Sequence, residues 1–211
     1  MWNFVDEPSK LTDMAREISP RFIFFPHWSF RIPEAVWGRH ECVIFHMTDL
    51  PYGRGGSPLQ NLIVRGHTET VISALRCEAE VDAGPIYMKR PLSLAGSARE
   101  IFARAMDVIE SMIHDMLHDP PTPQPQTGDV VEFSRRTPSQ SDLAAVNSLA
   151  SVYDHIRMLD ADGYPRAYLT VGGFRLEFDR ATWTAGGLEA RVTLMEAEPG
   201  ATDHESGEVN Q

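Results

Sequence analysis

Two residues carry chemistry that their surroundings can organise. His46 lies in the run Phe45-His46-Met47-Thr48-Asp49-Leu50-Pro51-Tyr52-Gly53-Arg54-Gly55-Gly56-Ser57-Pro58, and Asp82 lies in Val81-Asp82-Ala83-Gly84-Pro85-Ile86. An imidazole changes charge near neutral pH, and a carboxylate beside it can orient the ring and stabilise its protonated form, which makes a general acid–base pair. The plain alternatives are a structural histidine and a turn aspartate of the kind common before glycine. The segment Gly53-Arg54-Gly55-Gly56-Ser57 could form an anion nest leading into a helix N-terminus. It has neither the dinucleotide fingerprint G-x-G-x-x-G nor the P-loop lysine, so it does not by itself indicate a nucleotide.

Other constellations are weaker. His114-Asp115-Met116-Leu117-His118 has the i, i+4 histidines of a zinc-binding helix, but Asp stands where a metalloprotease needs Glu. Histidines at a helix C-terminus complement the helix dipole, so no metal is expected. Cys42 and Cys77 lie in apolar, strand-like surroundings and read as buried reduced thiols. Trp28, Phe30 and Trp37 are candidates for a pocket wall or for core packing.

The elements that must position His46 and Asp82 follow from periodicity. Pro8 to Ile18 reads as a helix, Phe22 to Phe25 as a buried strand, and Glu41 to Phe45 as a second strand with His46 at its carboxyl end. Ligands of open α/β sheets bind at such ends. Ser57 and Pro58 supply an N-cap and N1 proline for a helix over Leu59 to Val64, stopped by Gly66. Thr70 to Cys77 and Gly84 to Met88 are strand-like, with an acidic turn at Glu78-Ala79-Glu80 between them. The longest helix spans Ala98 to about His118, with Ser97 and Glu100 as a capping box and Phe102, Ala105, Met106, Ile109, Ile113, Met116 and Leu117 at helical spacing.

Alternating strands and helices indicate an α/β domain over residues 1–119. Residues 120–128, rich in proline, read as an extended linker. Residues 129–195 read as a small α+β appendage: a helix near Leu149 to Leu159, then strands at Ala167–Val171, Phe174–Phe178 and Leu188–Leu194 with Gly-Gly turns between them. Residues 196–211 are acidic, polar and read as a disordered tail.

The chain has 211 residues and a formal net charge of -11, which disfavours nucleic acid as a main partner on average. No apolar run approaches the roughly 20 residues that span a bilayer, and the start MWNFVDEPSK has no signal-peptide pattern. A cytoplasmic protein without membrane contact is expected, and a homodimer is compatible with this reading.

The motif around His46 resembles that of the folate-dependent formyltransferases, approximately Asn-x-His-x-Ser-x-Leu-Pro-x-x-Arg-Gly-x-x-Pro with a downstream Asp-x-Gly-x-Ile. His46, Leu50, Pro51, Arg54, Gly55 and Pro58 match the first element, Thr48 stands for its serine, and Asp82, Gly84 and Ile86 match the second. Beyond the proline-rich stretch, Ser134-Arg135-Arg136-Thr137-Pro138, Ile156-Arg157-Met158-Leu159-Asp160 and Tyr164-Pro165-Arg166-Ala167-Tyr168 resemble the family's C-terminal region. The resemblance covers roughly residues 20–182.

It implies a Rossmann-like catalytic domain with a mainly parallel sheet, whose usual first strand and helix are not found before Trp2. It also implies formyl transfer from 10-formyltetrahydrofolate to an amine, with no metal. His46 would polarise the formyl oxygen or handle protons at the folate nitrogen, and Asp82 would orient His46 and help deprotonate the amine. Thr48, Asp49, Leu50 and Pro51 would lie on the folate side, Ile32 and Val81 would wall the pterin, and Ala79 would contact it through its backbone. Arg54 is a candidate phosphate or carboxylate contact on the acceptor.

One departure stands out. Ile44 occupies the place of the family's asparagine, and removing one such oxyanion donor costs about 10²–10³ in rate. His27, Asn61 and His67 are candidates to replace it. The acidic charge and the short appendage favour a nucleotide-linked amino sugar over methionyl-tRNA as acceptor. A formyl-folate hydrolase and a non-catalytic folate-binding relic are the rival readings.

Overall fold

A computed structural model describes residues 2–197. They fall into two compact units: residues 2–95 with Glu100–Arg135, and Gly96–Arg99 with the residues from Arg136 onward.

The first unit opens with α1 (Pro8–Ile18), which starts on a proline at N1 and ends where Ser19 turns left-handed and donates its N–H to Ala15 O. Its buried residues, Leu11 and Ala15, are one turn apart. Strand β1 (Phe22–Phe25) follows, then a single turn, α2 (Glu34–Trp37), and β2 (Glu41–His46). Leu11, Ala15, Phe25, Ile32, Val36, Cys42 and Cys77 form one buried cluster, with Trp28, Trp37 and Ile44 packed against it. Trp28 and Trp37 are therefore core packing, whereas Phe30 is 60% exposed.

Next come β3 (Tyr52–Gly55), α3 (Pro58–Val64), β4 (Glu69–Arg76), β5 (Ile86–Ser93), α4 (Ala98–His118) and β6 (Val131–Phe133). The main sheet has the order β1-β2-β4-β5. Its β1/β2 pairing is parallel, whereas β2/β4 and β4/β5 are antiparallel. The α/β class is as expected, but the sheet is mixed rather than mainly parallel. Residues 77–85 link β4 to β5 directly, too short a connection for the crossover that a parallel pair requires. A separate two-stranded parallel pairing joins β3 to β6.

Helix α4 has the expected limits with its buried stripe displaced. Ile101, Ala105, Ile109, Met112 and Met116 face inward, while Met106 is 45% and Leu117 40% exposed. The proline-rich stretch is extended and pinned to this unit. Gln124 exchanges both backbone hydrogen bonds with Ile86, at 2.8 and 2.9 Å. The unit accordingly runs to Arg135, beyond the boundary placed at residue 119, because Gln124 pairs with Ile86 of β5 and Val131–Phe133 pair with β3.

The second unit holds two short 3₁₀ turns, α5 (Leu149–Arg157) and a meander of β7 (Ala167–Val171), β8 (Phe174–Thr184) and β9 (Gly187–Glu196). Ser148 caps α5 by accepting the Ser151 N–H, and the helix packs against β8. Strands β8 and β9 are longer than the sequence suggested, because a bulge at Asp179–Thr182 lets pairing continue to Thr184. Glu196, placed in the expected tail, is the last residue of β9; residues 198–211 lie outside the described residues. Among the described residues no helix is long and apolar enough to cross a membrane.

Candidate active site

β2 is an apolar run buried along most of its length, and its register against β4 sets His46 opposite Ser73. His46 is thereby held at the strand's carboxyl end, only 7% exposed. The chain then folds back through a tied turn. Ser73 Oγ donates to Thr48 O at 2.7 Å, Tyr52 N donates to Asp49 O at 3.0 Å, and Lys89 Nζ donates to Leu50 O at 2.6 Å.

β3, reached by this turn, faces the imidazole. His46 Nε2 is 2.8 Å from Gly53 O, so this nitrogen donates to the carbonyl. On its other side Nδ1 lies 3.5 Å from Asp82 Oδ2, with both side chains about one-tenth exposed or less. Asp82 comes from the β4–β5 connection, where it takes a left-handed φ of 52° that Asp tolerates better than most residues. Its Oδ2 also accepts the Gly55 N–H at 2.9 Å. Gly55 itself has φ 101°, and a Cβ there would meet Phe133 O at 2.6 Å.

The glycine-rich turn thus has an occupant within the chain. The N–H of Gly55 is used by the Asp82 carboxylate and that of Gly56 by Phe133 O. Ser57 adopts a left-handed conformation and makes no side-chain cap on α3. The turn orients Asp82 where the sequence suggested an external anion.

Both ring nitrogens of His46 face oxygens that can only accept. A proton brought to the ring finds a partner on either side, which is the geometry of a group that takes up and passes on protons.

The other expected site residues divide by exposure. Thr48 is fully buried with its hydroxyl 3.3 Å from Gly53 O, and Leu50, Pro51 and Ile32 are buried, so these four support the turn and core. Asp49, Ala79 and Val81 are exposed; Asp49 pairs with Lys89, and Val81 is 64% accessible beside Asp82. Arg54, whose side chain is 14% exposed, is engaged within the protein. Its Nε and Nη2 donate to Gln126 Oε1 at 3.2 and 2.8 Å, and Nη1 donates to Glu80 Oε1 at 3.1 Å.

Of the candidates for the missing asparagine, Asn61 and His67 are bonded elsewhere and His27 lies exposed. Asn61 Nδ2 reaches Gly56 O, Ser57 O and Ser134 O, and its Oδ1 accepts from Arg65. His67 Nε2 is 3.0 Å from Tyr52 OH, and His27 is exposed with its ring against Phe102. Ile44 stands in register between Phe25 and Leu75. His114 and His118 stack on each other at 5.0 Å, Asp115 is paired with Arg90, and among the described residues no group of three potential metal ligands converges.

Gln126 is the site residue that sequence reasoning missed. Its only signal was a glutamine at the end of a proline-rich run.

Comparison with known proteins bears on this arrangement. Residues 138–195 match the family model for the methionyl-tRNA formyltransferase C-terminal domain. A solved methionyl-tRNA formyltransferase from Clostridium thermocellum matches with TM-score 0.89 and 46% identity, over 92% of this chain and 86% of that one. The methionyl-tRNA formyltransferase of Paracoccus denitrificans is 27% identical over 164 residues, 75% of this chain and 54% of the relative. A 4-N formyltransferase from Francisella tularensis shares the fold at TM-score 0.62 and 15% identity, over 92% of this chain and 77% of that one. The chain spans about half the length of the curated relatives it matches. A match at 46% identity that takes in 86% of a solved relative, on a fold that brings the two motif residues His46 and Asp82 within 3.5 Å, means that this chain belongs to the formyltransferase family.

Proposed function

We propose that the protein transfers a formyl group from 10-formyltetrahydrofolate to a primary amine, with His46 and Asp82 as its acid–base pair. The observation that carries this reading is the buried imidazole set between Gly53 O and the Asp82 carboxylate. The folate supplies the formyl group. For the transfer to balance, one proton must leave the attacking amine and one must reach the nitrogen that releases the formyl group. His46 can hold that proton, and Asp82 steadies the ring as its charge changes. The exposed Val81 and Ala79 beside Asp82 offer the apolar edge that a flat ring system covers. Thr48, Leu50 and Pro51 act from behind, as part of the turn, and Ile32 from the core. Arg54, with three guanidinium nitrogens bonded internally, braces the site instead of meeting the acceptor.

For the acceptor, the relatives favour methionyl-tRNA, the amine that the names of the matches at 46% and 27% identity specify. This reverses the preference drawn from the acidic charge and the short appendage. The amino-sugar reading stays as the second, because a net charge of -11 suits a small anionic acceptor better than a polyanion. The test is to incubate purified protein and 10-formyltetrahydrofolate with methionyl-tRNA, with an amino-sugar nucleotide, and with neither. Formyl-methionyl-tRNA as the product supports the first reading, and formylation of the sugar alone replaces it with the second. Formate released without any amine, or binding of the folate with no transfer, would reject formyl transfer in favour of a hydrolase or a binding protein.

A further inference from the structure

We propose that Gln126 is a positioning residue for the His46–Asp82 pair. Its amide clamps the Asp82 loop to Arg54 and so sets the separation between carboxylate and imidazole. The inference rests on the formyl-transfer reading for its kinetic consequence, but not for its geometry.

Every polar atom of the Gln126 amide is used. Nε2 donates to Asp82 O at 2.7 Å and to Gly84 O at 2.9 Å, while Oε1 accepts from Arg54 Nε and Nη2. An amide has two donor hydrogens and one acceptor oxygen, so this set is complete, and a side chain lacking either half removes a bond from partly buried partners. Arg54 belongs to β3, the strand that also supplies Gly53 O to His46 and the Gly55 N–H to Asp82. Gln126 therefore joins the two backbones that hold the catalytic pair: β3 on the imidazole side and residues 82–84 on the carboxylate side.

The clamp acts on a loop that local forces alone do not hold. Asp82 has a left-handed backbone, which Asp adopts more readily than most residues but which still carries a cost that surrounding contacts offset. Two residues on, Gly84 lies so close to β4 that a Cβ would sit 1.9 Å from Arg76 O. The segment bearing Gln126 is itself anchored by the paired backbone bonds of Gln124 and Ile86. A paired anchor, a complete amide and a left-handed loop residue together make Gln126 the part that sets the Asp82 backbone, while the Gly55 N–H meets the carboxylate itself.

The test compares Gln126→Ala with the parent and with Asp82→Asn. Two readings are taken: steady-state kinetics, and nuclear magnetic resonance of protein carrying ¹⁵N-labelled histidine, with the His46 signals assigned by their loss in His46→Asn. Loosening a reacting group by about 1 Å costs on the order of 10²-fold, so kcat should fall about that far while KM for the folate and the amine stays within about twofold. The His46 Nδ1 resonance should move toward its position in Asp82→Asn. A purely structural glutamine would lower thermal stability but leave that resonance in place. A folded Gln126→Ala protein with the parental Nδ1 resonance overturns the proposal, whatever its activity. Should that variant not fold, Gln126→Glu gives the same readings, because it keeps the length and the Arg54 partner while losing both donors to the loop. If the parent transfers no formyl group, the proposed reaction fails, and the Nδ1 shift alone decides the positioning role.

Discussion

Asp82 and His46 meet at 3.5 Å between buried side chains, and each can be removed with little change in volume. His46→Asn should lower turnover by about 10²-fold or more, the usual worth of a general acid–base group. Asp82→Asn should cost a similar factor, because an amide can still accept from Gly55 N–H yet no longer supports a charged ring. Initial rates on folded protein check both; parental turnover in either variant would remove that residue from the reaction. The thiols lead to a second expectation. Burial raises Cys42 to about 12, aided by neighbouring Cys77 and Glu41, and burial likewise raises Cys77 to about 11 with Asp82 and Glu78 contributing. Neither thiolate is then populated at pH 8, so a thiol reagent should label neither cysteine in native protein and both after unfolding. At this scale the sequence showed what local motifs can show. His46 ends an apolar strand before a glycine- and proline-rich turn, and Asp82 sits in a turn before a glycine, each with its own signature. Gln126 was hidden because its meaning comes from Arg54, 72 positions away, and from carbonyls more than 40 positions away.

Helices α1, α3 and α4 were legible because proline starts, glycine stops and apolar spacing are local properties. Strands β3 and β6 were not. Tyr52–Gly55 has two glycines and little β propensity, and becomes a strand only by pairing with Val131–Phe133 from the far side of α4. Strand direction was hidden for the same reason, since pairing sense is set by connections and packing rather than by composition. In the second unit the elements make a testable electrostatic joint. Asp179, 6% exposed on β8, bonds Arg191 of β9, and Arg166 pairs with Asp160, whose other oxygen accepts the Arg180 N–H. The Arg191 hydrogen bond, then the charges of Arg191, Arg166 and Arg180, hold the Asp179 carboxyl below its ordinary value of 3.8 against the opposing effect of burial. A depressed folded value means that the joint's stabilisation is present above about pH 3.8 and is lost as pH falls through the lower folded value. Asp179→Asn should therefore lower the urea midpoint at pH 7, with the gap from the parent closing as the carboxyl protonates. A gap independent of pH would show that packing, and not charge, holds β8 to β9.

Across the whole chain, 19 Lys and Arg stand against 30 Asp and Glu, and this balance constrains how a tRNA could be held. Many arginines of the second unit already have acidic partners: Arg99 with Asp162, Arg157 with Asp154, Arg166 with Asp160, Arg175 with Glu177 and Arg191 with Asp179. A cation paired within the protein releases fewer counterions when it meets a phosphate, so few of these contribute to a salt-dependent term. Proteins that neutralise six to ten phosphates lose about 10³–10⁵ in affinity between about 50 and 200 mM salt, whereas two contacts would lose only about tenfold. If methionyl-tRNA is the acceptor, its KM should rise no more than about tenfold across that range, with kcat unchanged. Recognition would then rest on the aminoacyl end presented to His46 and Asp82 more than on the tRNA body. A rise near 10³-fold would show a broad phosphate-binding surface, and would mean that local arrangement of the basic residues outweighs the net charge of -11.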